Sequence, residues 1–324
     1  MSAEIHLVRN DVMRLLTAMD GRPNGFAPAL DEAPEIVRSR FAAMVAKHDA
    51  PPREITRIAD FSCPGPDGKI ALRLYDTLGP PAALETARPA IIYFHGGGFV
   101  MGDLDRYDSL CRELAALTGL PAIAVDYRLA PEHPFPAAPD DTEAATRWIA
   151  SHATTLSLSL HGLVLVGDSA GGNLALVTAQ TLTATPAELP VLLQVPVYPL
   201  AAPVARHESY RAYRHGYLLE REGLVYFDQA YRGPSDDPRH YPVLHPELGR
   251  SPATLLVTAE LDPLRDSGRV FGAALLEAGV DLTFFEIKGM IHGFLILRGT
   301  LPSAQADLER ICHTILQMLE QPTK

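Results

Sequence analysis

The most informative segment of this chain is Gly167-Asp168-Ser169-Ala170-Gly171-Gly172. A short apolar run precedes it at residues 163–166, and a helical pattern follows it at residues 173–181. A tight turn between a strand and a helix holds a serine in a strained conformation that exposes its hydroxyl, and small residues on either side relieve the crowding. We interpret Ser169 as a nucleophile. The alternative is a glycine-rich turn in which the serine only caps a helix.

Outward from this turn, short apolar runs alternate with helical patterns along most of the chain. The alternation predicts a mostly parallel sheet that is covered by helices on both faces. A hairpin around the turn at residues 64–68 adds two strands, so we expect about eight strands in all. The predicted strands are residues 55–63, 69–75, 90–94, 122–125, 163–166, 192–197, 254–258 and 282–287. The Ala- and Pro-rich linker at residues 78–88 is predicted to be a loop.

A second motif, His95-Gly96-Gly97-Gly98, ends the predicted strand at residues 90–94. Three glycines allow backbone N–H groups to approach a bound group closely. Acyl transfer needs such donors, because negative charge develops on the carbonyl oxygen in the tetrahedral intermediate. The motif is similar to the oxyanion loop of lipases and esterases. The alternative is a flexible loop after a strand.

An acylating serine also needs a base, and the base needs an acid that orients it. Asp262 follows a predicted strand and is the candidate acid, although Asp before Pro is also a common helix start. Glu260 and Asp266 are competing acids. His292 is the candidate base, because only His95 and His292 among the 12 histidines lie in glycine-bracketed loops just after predicted strands.

Five motifs together resemble those of the bacterial hormone-sensitive lipase family of esterases (family IV), in its GDSAG subgroup. They are HGGG at residues 95–98, DYRLAPEHPFPAAPDD at 126–141, GDSAGGNLA at 167–175, DPLRD at 262–266 and HGF at 292–294. The resemblance covers nearly the whole chain. It implies the α/β-hydrolase fold and a catalytic triad of Ser169, Asp262 and His292, with no cofactor and no metal.

The resemblance also implies roles for residues around the triad. The oxyanion donors would be the backbone N–H groups of Gly97, Gly98 and Ala170. The residues that support the catalytic loops would be His95, Gly96, Asp168, Asp126, Arg128 and Glu132. The last three, with Tyr127, would form a buried polar network that braces the oxyanion loop. A surface ion pair is the alternative.

A cap over the site is a further implication of the resemblance. The candidate cap consists of residues 1–50 and 201–245, and the catalytic domain of residues 51–200 and 246–324. Two helices are predicted in the first cap segment, with a turn-rich stretch at 21–28 between them, and one helix around 220–231 in the second. Aromatic residues of the second segment either line a pocket or, as we favour for most of them, form the core of the cap. They are Tyr210, Tyr213, Tyr217, Tyr226 and Phe227.

These inferences together predict a serine carboxylesterase that hydrolyses short- to medium-chain acyl esters through an acyl-enzyme. An amidase or peptidase on the same fold would have an identical triad. A non-catalytic ligand receptor is the other alternative. Plant gibberellin receptors resemble this family but lack the catalytic histidine, which is present here as His292.

The composition argues against several classes of partner. The chain has 28 Lys+Arg and 39 Asp+Glu, which gives a net charge of −11 that would repel nucleic acid and anionic membranes. No apolar run reaches the length of about 18 residues that a membrane helix needs. The start does not resemble a secretory signal, and the 3 cysteines show no metal-binding spacing. A cytoplasmic protein with reduced thiols is therefore expected.

The last predicted strand bears on assembly. An apolar strand at Asp281–Ile287 would be an exposed sheet edge unless something covers it. The resemblance suggests that such edges pair across a two-fold axis, which predicts a homodimer. Alternatively, the helix predicted at residues 304–319 covers the edge.

Overall fold

The computed structural model describes residues 7–19 and 28–320. Its strands are β1 (Arg57–Gly65), β2 (Gly68–Asp76), β3 (Arg88–Phe94), β4 (Ala122–Asp126), β5 (Leu160–Asp168), β6 (Val191–Val197), β7 (Ala253–Leu261) and β8 (Leu282–Ile291). They form one sheet in the order β1-β2-β4-β3-β5-β6-β7-β8. β2 pairs antiparallel with β1 and with β4, whereas all other neighbours are parallel. The prediction of an eight-stranded, mostly parallel sheet is confirmed.

Helices connect and flank these strands. In the described part of the chain the α-helices are α1 (Asn10–Met19), α2 (Pro34–His48), α3 (Pro80–Glu85), α4 (Asp108–Thr118), α5 (Ala137–Ser151), α6 (Ala170–Ala184), α7 (Glu208–Ala212), α8 (Arg221–Tyr231), α9 (Arg265–Glu277) and α10 (Pro302–Glu320). Short 3-10 helices cover Pro242–Leu244, Leu248–Arg250 and Phe294–Ile296. The predicted stretch at 21–28 lies outside the described residues except for Pro28. No described helix is both long and apolar enough to cross a membrane.

The middle of the sheet is the most buried part of the molecule. All seven residues of β3 are buried, whereas β1 at the edge alternates between exposed and half-buried positions except at the buried Cys63. Central parallel strands are covered on both faces, which explains why their sequences are continuous apolar runs. The HGGG and GDSAGG motifs follow two neighbouring central strands, β3 and β5. Both loops therefore emerge side by side at the carboxyl ends of these strands, where open α/β sheets bind ligands.

The linker at residues 78–88 differs from the prediction. It contains the helix α3, so the prediction of a loop was wrong. Its two prolines lie in the first turn, where their fixed φ suits a helix and no N–H is needed. Ala83 is fully buried, and its carbonyl accepts a hydrogen bond from the backbone N–H of Ser159 at 3.2 Å. Packing against the segment just before β5 stabilises a helix that is too short to form alone.

Candidate active site

Ser169 lies in the sharp turn between β5 and α6. Its φ of 54° and ψ of −116° are rare for a residue with a side chain. The backbone N–H of Ser169 donates to the carbonyl of Val197 at 2.9 Å, which ties the turn to the neighbouring strand. A Cβ at Gly167 would collide with the carbonyl of Gly171, and one at Gly171 would collide with the carbonyl of Phe94. Both glycines are therefore required for the close approach of the turn to the sheet.

Three side chains from different strand ends meet at this turn. The Nε2 atom of His292 lies 2.8 Å from the Oγ of Ser169. The Nδ1 atom of His292 lies 2.7 Å from an oxygen of Asp262, whose other oxygen accepts the N–H of Leu264 at 2.8 Å. Asp262 is fully buried. If Nδ1 carries the proton that Asp262 accepts, Nε2 is free to accept the proton of the serine hydroxyl.

The competing acids have different partners. Glu260 accepts a hydrogen bond from the backbone N–H of Gly289 at 2.7 Å. Asp266 lies in α9, where it pairs with Arg265 at 2.8 Å and accepts the N–H of Ser209 at 2.9 Å. Asp262 is therefore the candidate acid that the fold brings to His292.

The HGGG loop faces the serine. Gly97 and Gly98 have φ values of 115° and 62°, in the region that favours glycine. Gly97, Gly98 and Ala170 line the same cavity as Ser169 and His292. Ala170 is the first residue of α6. The backbone N–H groups at the N-terminus of a helix have no acceptor within the helix, and they favour binding of a negative charge. The arrangement can hold an oxyanion beside the serine.

A buried carboxylate supports the oxyanion loop from below. Asp168 accepts hydrogen bonds at 2.7 Å from the backbone N–H of Gly96 and from the hydroxyl of Tyr93. The hydroxyls of Tyr107 and Tyr198 lie 3.4 Å from its second oxygen. Burial raises the pKa of Asp168, and these donors oppose the shift by stabilising the charged form. Sequence reasoning missed the three tyrosines, because no local pattern indicates that they converge on one carboxylate.

His95 braces the same loop from the side. Its ring stacks on Tyr127 with centroids 4.3 Å apart, and the Tyr127 hydroxyl donates to the His95 carbonyl at 2.7 Å. The Nδ1 atom lies 2.8 Å from the carbonyl of Gly96, which assigns the proton to Nδ1. Burial lowers the pKa of His95 to about 4, so the ring is neutral at physiological pH. The stack gives the oxyanion loop a rigid, uncharged support.

The other predicted support residues do not form one network. Arg128 pairs with Asp141 at 2.8 Å and with Asp67 of the hairpin turn at 3.0 Å, away from the oxyanion loop. Glu132 forms a half-exposed ion pair with Arg38 of α2 at 2.6 Å. Arg38 in turn donates to the carbonyls of Val100 and Ala130, at 2.8 and 3.0 Å. Glu132 is thus linked to Val100, two residues after the HGGG motif, through the side chain of Arg38 in α2. Burial raises the pKa of Asp126 to about 6.

A cavity of about 270 Å³ opens over Ser169. Its walls are mostly apolar and come from α2, from the segment after β6, and from α8. Residues that line it include Phe41, Met44, Leu200, Val204, Leu219, Leu224 and Phe227. Of the five aromatic residues predicted to form either a pocket or a cap core, Tyr210 and Phe227 line the cavity. Tyr213 and Tyr217 pack edge to face, with ring centroids 5.1 Å apart.

Among the described residues, one group of side chains has a spacing that could hold a metal ion. It consists of His215, Glu220 and Glu222, whose ligand atoms lie within 4.8 Å of one another. Two of the three are exposed. Exposed acidic groups of this kind are common on protein surfaces, and none of the three belongs to the triad.

Comparisons with known proteins agree with this geometry. A family model described as alpha/beta hydrolase fold matches residues 91–296. Ethyl acetate hydrolase of Pseudomonas putida is 38% identical over 293 residues, which are 89% of this chain and 90% of that protein. Esterase LipI of Mycobacterium tuberculosis is 35% identical over 303 residues, 91% of either chain.

A similar structure has also been solved. It is an ester hydrolase from the metagenome of Lake Arreo, complexed with a derivative of bipyridine phosphonate. The likeness has a TM-score of 0.89 at 33% identity and covers 97% of this chain and 100% of that one. On the family match and these likenesses, the chain is a carboxylic ester hydrolase and belongs to the α/β-hydrolase fold family.

Proposed function

We propose that the chain hydrolyses esters in two steps, with Ser169 as nucleophile, His292 as general base and Asp262 as the orienting acid. Ser169 Oγ attacks the ester carbonyl while His292 Nε2 takes its proton. His292 then gives this proton to the departing alcohol, which leaves an acyl group on the serine. A water molecule then attacks the acyl group while His292 takes its proton, and His292 returns that proton to Ser169 Oγ as the carboxylic acid departs. The 2.8 and 2.7 Å contacts along the Ser169–His292–Asp262 line are the observation that carries this proposal.

The backbone N–H groups of Gly97, Gly98 and Ala170 are the proposed donors to the oxyanion. Negative charge develops there during both steps, and preorganised donors lower the barrier because they need no reorientation. The buried Asp168 supports this role through its hydrogen bond to Gly96, the residue before the two donors. His95 supports it from the side through its stack on Tyr127.

We propose neutral esters of short to medium acyl length, roughly two to eight carbons, as substrates. The mostly apolar cavity of about 270 Å³ supports this range, since each buried methylene adds affinity only while the cavity has room. The relative from Pseudomonas putida is named ethyl acetate hydrolase, which is consistent with a small ester as substrate. The motifs HGGG and GDSAG at residues 95–98 and 167–171 support membership of the GDSAG subgroup of the bacterial hormone-sensitive lipase family.

The proposed cap consists of residues 1–50 and 201–245, and the rest of the chain is the proposed catalytic domain. Phe41 of α2 and Phe227 of α8 line the cavity over Ser169, which supports a cover made from both segments. The hydroxyl of Tyr226 donates to the carbonyl of Glu32 at 3.1 Å and joins the two segments. We also propose a reducing, cytoplasmic setting, which the three free, buried cysteines support.

An aryl butyrate and the matching aryl amide test the proposed activity. We expect turnover of the ester to exceed that of the amide by orders of magnitude, with loss of activity in His292→Ala. Comparable turnover of the two substrates would favour an amidase. Stoichiometric ligand binding without turnover would favour a receptor.

A further inference from the structure

We propose that Glu260 is a positioning residue for His292. Its carboxylate holds a bulge at Gly289, from which the chain turns toward the histidine. This inference rests on the proposed role of His292 as the base.

The bulge lies between the last two strands of the sheet. Along the parallel pair β7 and β8, Ala259 is opposite Ile287, but Leu261 is opposite Ile291. A step of two residues along β7 thus matches a step of four residues along β8. The two extra residues of β8 have no pairing partner on β7. Gly289 lies among them, with a φ of 67° that favours glycine.

Glu260 is the β7 residue inside this register shift. Its oxygen accepts the backbone N–H of Gly289 at 2.7 Å, and the Nζ of Lys288 lies 3.5 Å from its other oxygen. Only 8% of Glu260 is exposed. A charged acceptor in a buried place makes a strong hydrogen bond and supplies the partner that the N–H of a bulged residue lacks.

The N-terminal segment holds the bulge from the opposite side. The Nε of Arg9 donates to the carbonyl of Lys288 at 2.8 Å. The backbone N–H of Arg9 donates to the carbonyl of Gly289 at 3.3 Å. An ion pair of 2.6 Å to Asp307 of α10 fixes the arginine. A Cβ at Gly289 would collide with the carbonyl of Leu7. The path of the chain at this point is therefore constrained on both sides.

The bulge fixes the backbone position from which the His292 side chain extends to Ser169 and Asp262. Gly289 is three residues before His292, and Glu260 is two residues before Asp262, so one side chain joins the acid's strand to the base's loop. His292 must satisfy two contacts at once, at 2.7 and 2.8 Å. A displacement of about 1 Å in such an arrangement can cost on the order of 10²-fold in rate. Glu260 would act on the rate through His292, without touching the substrate.

A second glutamate offers a matched control. Glu286 of β8 is also nearly buried, and it contacts the same Lys288 Nζ at 2.8 Å. Its other partner is Arg269 at 2.6 Å. Glu286→Leu therefore removes a comparable buried carboxylate and an ion pair to Lys288 while the hydrogen bond from Gly289 to Glu260 stays.

The test compares Glu260→Leu, Glu260→Gln and Glu286→Leu in the full chain, with an aryl butyrate as substrate and Tm as the measure of stability. For Glu260→Leu we expect kcat to fall roughly 10- to 100-fold with KM within about twofold. Glu260→Gln should keep kcat within about threefold, because its amide oxygen still accepts the Gly289 N–H. Glu286→Leu should keep its kcat even where its Tm falls.

The pattern of kcat and Tm across the three variants separates positioning from stability. Glu260→Gln and Glu286→Leu should both keep kcat, so the displacement of His292 from Asp262 should lower kcat in Glu260→Leu alone. Should that variant not fold, Glu260→Asp, whose carboxylate is one methylene shorter, replaces it with the same expected result.

Two outcomes would overturn the inference. One is a kcat within twofold of wild type in Glu260→Leu. The other is a kcat loss in Glu260→Leu that Glu286→Leu matches. His292→Ala separates this failure from a failure of the proposed function: if His292→Ala keeps turnover, the base itself is misassigned.

Discussion

At the residue scale, the conformation of Ser169 leads to a prediction about stability as well as activity. Its φ of 54° is strained for any residue with a Cβ. Ser169→Ala should abolish turnover and keep the strain, whereas Ser169→Gly should abolish turnover and relieve it. We expect the glycine variant to have a free energy of unfolding about 1 kcal/mol above that of the alanine variant. Urea unfolding of the two measures the difference, and a more stable alanine variant would contradict the strain.

The assignment of the acid is a second prediction at this scale. Asp262→Asn should keep the geometry but favour the wrong tautomer of His292, so that kcat falls by roughly 10³- to 10⁴-fold. Asp266→Asn should cost far less activity, because Asp266 pairs with Arg265 in α9. Steady-state kinetics of the two variants decide between them. If Asp266→Asn proved the more damaging, the acid would have to be reassigned.

Asp126 gives a prediction about stability and pH. Burial, with Asp103 and Asp105 nearby, raises the pKa of Asp126 to about 6 in the folded state. The unfolded value is about 3.9, so the folded state binds this proton more tightly, and stability falls as pH rises from about 4 through about 6. Asp126→Asn should therefore raise the free energy of unfolding by about 1–2 kcal/mol at pH 8, after allowance for solvent screening. Unfolding near pH 4 is the control, where the two proteins should be equally stable; an equal gain at both pH values would exclude the ionisation.

At the element scale, β8 carries the prediction about assembly. It is the last strand of the sheet and pairs with β7 on one side. Arg310 of α10 lies 3.9 Å above the ring of Phe285, a contact on a side chain of this strand. We expect a homodimer formed through β8, because an unpaired strand edge is a template for pairing.

Light scattering at micromolar concentration measures this assembly. Phe284 of β8 is 40% exposed, and Phe284→Lys should weaken the dimer by placing a charge beside the edge. Leu84→Lys is the matched control, since Leu84 is 46% exposed on α3. A monomeric wild-type protein would count against the dimer.

At the scale of the whole molecule, the cavity predicts a limit on acyl length. Its walls come from segments far apart in the chain, so its size is a property of the complete fold. Each methylene that fits should gain roughly 0.8 kcal/mol of burial, and the gain should stop when the cavity of about 270 Å³ is full. In a series of aryl esters below their aggregation limit, kcat/KM should rise, peak between roughly two and eight carbons, and fall. A steady rise through long chains with activation at an oil–water interface would indicate a lipase.

Most of the sheet could be predicted from the sequence because its signals are local. Buried central strands such as β3 and β5 are continuous apolar runs, and their ends are marked by glycines at residues 96–98 and 167. The same local signals indicate that Ser169 follows β5, and that Asp262 and His292 follow β7 and β8. The helix α3 could not be predicted from local patterns, because its stability depends on the tertiary packing of Ala83.

Which residues stand at the carboxyl ends of the strands follows from the sequence alone, since strand, turn and glycine patterns span only a few neighbouring residues. How distant residues pair depends on the folded arrangement of the chain. Tyr93 reaches Asp168 across 75 positions, and Arg128 turns to Asp141 instead of the oxyanion loop. Such contacts depend on strand order and register, which bring separate segments together in space and leave no periodic trace along the chain.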